Sequence, residues 1–126
     1  MRSYLVLILA LAGVLLFDCW GQSQLRSISQ QGTEMTLQER QFVEANEWAA
    51  ALEQLERMKQ YLEDRDLLLS TLVEHDRIDI LRAQLTELAS LLQRHESTLA
   101  LISLDRLQLA YEDLHDSVRF SWENII

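Results

Sequence analysis

Three histidines recur at twenty-residue intervals, and each is followed at once by an acid: His75-Asp76, His95-Glu96 and His115-Asp116. Imidazole beside carboxylate is the pairing used in acid–base catalysis and in metal coordination, so chemistry is sought there first. A metal site on a helix wants two ligands three or four positions apart on one face, and no two of these histidines have that spacing. His95 continues an apolar seam through Leu88 and Leu92 toward Leu99, which predicts a partly buried, hydrogen-bonded ring. The His75-Asp76-Arg77-Ile78-Asp79 turn is the more open of the three, and His75, Asp76 and Asp79 are its candidate interaction residues. Its plain reading is a cap, with Asp76 accepting free N–H groups of a helix starting near Arg77 and His75 closing the helix before it.

Other reactive sets are thinner. The single cysteine, Cys19, excludes an internal disulfide and a cysteine zinc site; beside an apolar run its expected role is packing or a dimer contact. Carboxylates such as Glu63, Asp64 and Asp66, or Glu112, Asp113 and Asp116, are interleaved with Arg57, Lys59, Arg65 and Arg119 at helical spacing, the pattern of a solvated charged face. A di-iron bundle needs Glu-x-x-His on each of two helices, and no such pair of motifs occurs. With only Gly13, Gly21 and Gly32 there is no glycine-rich phosphate loop. No catalytic residue, metal ligand or cofactor is expected, and a non-enzymatic role follows.

The elements that must position these residues are read from composition and periodicity. At 126 residues the chain holds one small domain and at most one appended segment. Apolar residues at 48% and the absence of proline favour a folded, mostly helical chain. Twenty acidic against eleven basic side chains give a net charge of -9, which repels a phosphate backbone and argues against nucleic acid.

Tyr4 to Phe17 is an unbroken run of apolar or small residues, bounded by Arg2-Ser3 and by Asp18-Cys19-Trp20. The stretch from Ser3 to Trp20 approaches the roughly 30 Å of a bilayer core, with Tyr4 and Trp20 as interfacial aromatics. Residues 1–21 are thus expected to form an uncleaved membrane anchor and 22–126 an extracytoplasmic helical domain, with the helix leaving the membrane as the candidate fourth member of its bundle. Signal cleavage is disfavoured by bulky Trp20 between Cys19 and Gly21, and lipidation of Cys19 by Asp18 before it. Arg2 places the N-terminus in the cytoplasm and the domain outside.

Beyond the anchor every pattern is helical. Gly32 is the expected weak point of the first stretch, and Thr36 with Glu39 has capping-box spacing, so that a helix either restarts there or runs through. Asn46 is the expected N-cap of a helix whose stripe runs Trp48, Leu52, Leu55, Met58, Leu62, Leu69 and Leu72. Ile78, Leu81, Leu85, Leu88 and Leu92 form a second, strict seam. After a break at Gln93 to Thr98, capped by Ser97 or Thr98, a last stripe follows through Leu104, Leu107, Tyr111, Leu114, Val118 and Trp122. Short connections predict an all-α fold, an N-terminal transmembrane helix followed by an antiparallel up-and-down bundle of three to four helices. Trp48 and Trp122 are expected to meet at one pole as a core plug, the competing reading being an exposed aromatic patch.

Several short stretches together resemble a known family. They are the hydrophobic N-terminus, Asn46-Glu47-Trp48 with Ala51 and Leu52, the turn from His75 to Asp79, and the ending Ser121-Trp122-Glu123-Asn124-Ile125-Ile126. The chain resembles small membrane-anchored proteins of Clostridia-type bacteria of the DUF4363 type; the family's second Trp falls here at Tyr61 and Leu62. The resemblance implies an N-terminal anchor and a helical outer domain, and supplies no catalytic residues. The expectation is a membrane-anchored extracytoplasmic interaction or scaffold protein. Its partners would be the lipid bilayer and another membrane or envelope protein, with a homo-oligomer also open. The alternatives are a helical sensor or enzyme subunit using the His75 turn, and a secreted helical protein freed by cleavage.

Overall fold

The computed structural model describes residues 2–125, with side chains described through Leu114. Five helices follow one another: α1 (Arg2–Glu44), α2 (Trp48–Asp64), α3 (Asp66–Leu72), α4 (His75–Gln93) and α5 (Ser97–Ile125). The all-α expectation holds, and the bundle has four sides because α1 supplies the fourth.

The first helix runs unbroken for 43 residues. Its N-terminal part is exposed along all of Tyr4–Phe17, whereas from Gly21 onward one face is buried at Gly21, Leu25, Ile28, Gly32, Met35, Glu39 and Val43. Those positions are three or four apart, the spacing that keeps one helical face on a core. Gly32 therefore does not break the helix. It is where Tyr111 of α5 lies against the α1 backbone, so close that a Cβ there would sit 2.3 Å from the ring. The capping-box restart is likewise absent: the Thr36 hydroxyl donates to the Gly32 carbonyl within the helix at 2.8 Å, and Glu39 turns into the core.

The helices pack in a square, α1 against α5 and α2, and α4 against α5 and α2. The four long helices α1, α2, α4 and α5 run alternately up and down, with the short α3 in the α2–α4 connection, so the α1–α2 and α4–α5 turns share one pole. The other pole holds the α3–α4 connection, with Leu72 against Gly21. All five seam residues of α4 are buried, as are Leu104, Leu107, Tyr111 and Leu114 of α5. Val118 and Trp122 carry the rest of that stripe, and their side chains lie outside the described residues.

The stripe expected as one helix from Trp48 to Leu72 is divided at Arg65. The Arg65 guanidinium donates to the Tyr61 carbonyl at 3.1 Å and lies over the Tyr61 ring, 3.6 Å from its centroid. Its own N–H turns instead to the Leu62 carbonyl, so a side-chain donor replaces the backbone donor of that helical turn.

The turns also differ from expectation. Asn46 is not an N-cap. It adopts the left-handed region at φ 57°, with its N–H on Val43 O and the Glu47 N–H on Phe42 O, the paired bonds of a Schellman turn ending α1. His95 repeats this arrangement at φ 56°, with bonds to Leu92 O and from Glu96 N to Leu91 O. Ser97 is already the first residue of α5.

Candidate functional site

The His75 turn does not assemble a site. His75 is the first residue of α4, and its side chain, like those of Asp76 and Asp79, is exposed. Glu74 occupies the N-cap position without a side-chain hydrogen bond, so Asp76 acts through its charge in the first turn alone. His75 closes no preceding helix: α3 ends at Leu72, with Val73 as its extended C-cap. His95 sits beyond the opposite end of the 19-residue α4, so the two rings are held apart by its length. The side chains of His115 and Asp116 lie outside the described residues, among which no group of three or more His, Cys, Asp or Glu side chains could hold a metal ion.

His95 is exposed rather than partly buried, and it finds a ring instead of a hydrogen bond. Its imidazole stacks on the half-buried Trp48 indole with centroids 4.8 Å apart and planes 2° from parallel. This contact fastens the two Schellman turns together at their common pole. The expected meeting of Trp48 with Trp122 falls on a side chain outside the described residues; the ring that Trp48 meets among them is His95.

Two places that the motifs did not indicate hold unusual chemistry. The first is Glu39, fully buried, with both carboxylate oxygens lacking a hydrogen-bond partner. Its polar neighbourhood is satisfied among other groups. The Gln54 amide nitrogen lies 3.4 Å from Met35 O and 3.1 Å from Gln38 Oε1, while its oxygen accepts from Arg57 Nε at 3.1 Å. Burial drives the Glu39 carboxyl up from 4.5 to about 8, against the opposing pull of the Arg57 guanidinium. The signal available in the sequence was phase: Glu39 falls on the seam of Leu25, Ile28, Gly32 and Met35, four residues beyond the last.

The second is a groove between α4 and α5 of about 260 Å³, floored by Ile80, Leu109 and Ala110 and flanked by Arg77, Arg106 and Asp113. Ile80 and Leu109 are at least half exposed, and Leu99 and Ile102 extend the apolar line up α5. Its lining thus combines an apolar floor with two guanidinium groups, the Gln84 amide and one carboxylate.

The family model for DUF4363, a domain of unknown function, matches residues 19–125. The chain belongs to that family. The match begins at Cys19 and so takes in the whole bundle, including the α1 half that supplies its fourth side. No curated protein and no solved structure matches the chain. The DUF4363 domain is thus a four-sided helical bundle built on the continuation of an apolar helix.

Proposed function

We propose that this DUF4363 protein is a membrane-anchored, non-enzymatic interaction module whose bundle stands on the extracytoplasmic side. The observation that carries the reading is the division of labour along α1. Tyr4, Leu5, Val6, Leu7, Ile8 and Leu9 are each at least 61% exposed, while the same helix is buried on one face from Gly21 onward. By length and composition that helix can cross a membrane. Exposed apolar surface on this scale needs a non-aqueous surrounding. Arg2 supports a cytoplasmic N-terminus.

The α4–α5 groove supports the interaction reading, since its apolar floor and two arginines suit a protein partner better than a reaction. The test is in native membranes. The intact chain should stay with the membrane after alkaline carbonate washing, and external protease should reach the bundle. A photoreactive group at Leu109 should then crosslink to a defined membrane or envelope protein. Release of the chain by carbonate, or a mature N-terminus at Gln22, would end the anchored reading.

A further inference from the structure

A carboxyl group at a core position of a bundle is costly in its charged form, because nothing replaces the water it gave up. Glu39 occupies such a position. It lies on the α1 seam between Met35 and Val43, is 0% exposed, and neither of its oxygens accepts a hydrogen bond. Most of the polar groups around it are already engaged with one another. On its own helix the Thr36 hydroxyl is engaged by Gly32 O, and Arg40 is paired with Asp105 of α5. On α2, Gln54 uses both ends of its amide, and Arg57 spends its Nε on Gln54. Glu56 lies outward beside Lys59, and Glu53 is exposed. Among the described residues of α5 the buried polar group is Ser103, and the seam residues of α4, Leu85 and Leu88, are apolar.

We propose that Glu39 makes the packing of α1 against α2 and α5 responsive to pH, tight while the carboxyl is neutral and loosened around this layer once it ionises. The sign follows from comparing folded and unfolded chains. Unfolded, Glu39 ionises near 4.5; folded, it holds its proton to about 8. Between those values the folded chain binds the extra proton, so stability falls as pH rises and levels off above about 8. Among the described residues the Arg57 guanidinium opposes the burial; it moderates the effect without removing it. Because α1 is continuous from the apolar segment into this layer, the loosening acts on the helix that joins the two.

The experiment compares the full chain in detergent with Glu39→Gln, which keeps the shape and cannot ionise. Amide hydrogen exchange over residues 33–43 is followed from about pH 5 to about pH 9.5, and the ratio of the two rates cancels the intrinsic base catalysis of exchange. The ratio should be near one at the acid end and rise at least about tenfold, one pH unit of linkage, by the alkaline end. If Glu39→Gln does not fold, Glu39→Met serves as the reference. A ratio that stays within about twofold across the range would overturn the proposal, because a merely structural glutamate gives no pH-dependent difference.

Discussion

Gly32 and Tyr111 are fitted to one another: the ring lies where a side chain on α1 would be, with three ring atoms within 2.6 Å of an added Cβ. Ring atoms of a fully buried tyrosine cannot swing aside, so Gly32→Ala should destabilise by about 1 to 3 kcal/mol, despite gaining up to about 1 kcal/mol of helix propensity. Chemical denaturation measures this, and Tyr111→Leu in the same chain should recover part of the loss; a double variant no better than the sum of the singles would refute the fit. The sequence makes such a glycine look like a flaw, since propensity is local and the ring arrives from a helix 79 positions away. Glu39 misled for the same reason: its three-residue spacing from Thr36 matched a cap, although its phase matched the core.

At the scale of elements, the α4 seam was fully legible because five apolar residues at strict three-and-four spacing admit only one buried face. Leu85 lies in the middle of that helix at 2% exposure, so Leu85→Ala should cost about 2 to 5 kcal/mol in denaturant unfolding, and a loss under about half a kcal/mol would contradict the packing. The ends of elements were less legible. Asn46 and Asp76 are both good N-cap residue types, yet one closes the helix before it and the other stands inside the first turn of its own. Asp76→Ala should therefore lose about 0.3 to 1 kcal/mol of dipole interaction, fading at high salt, where a true cap would lose more and keep it. The division at Arg65 had no sequence sign, since an arginine that takes a carbonyl from its own backbone resembles any surface arginine.

At the scale of the whole molecule, the count of helices was nearly right. The apolar N-terminal segment and the fourth side of the bundle are one continuous helix, the arrangement in which the helix leaving the apolar run joins the bundle. A helix without a joint is a shaft, and a shaft has a phase: whatever angle the apolar segment takes about its axis fixes which way the α4–α5 groove faces. One alanine inserted between Trp20 and Gly21 would turn the bundle by about 100° and raise it about 1.5 Å. Seven would bring it back to within about 20° while raising it about 10 Å. Neither insertion touches a residue buried in the bundle, so both proteins should keep the parental unfolding midpoint. Crosslinking from Leu109 should fall with one added residue and return with seven. Equal yields from both would mean that the partner follows the bundle freely, and that the torsional setting of α1 carries no information from the apolar segment to the groove.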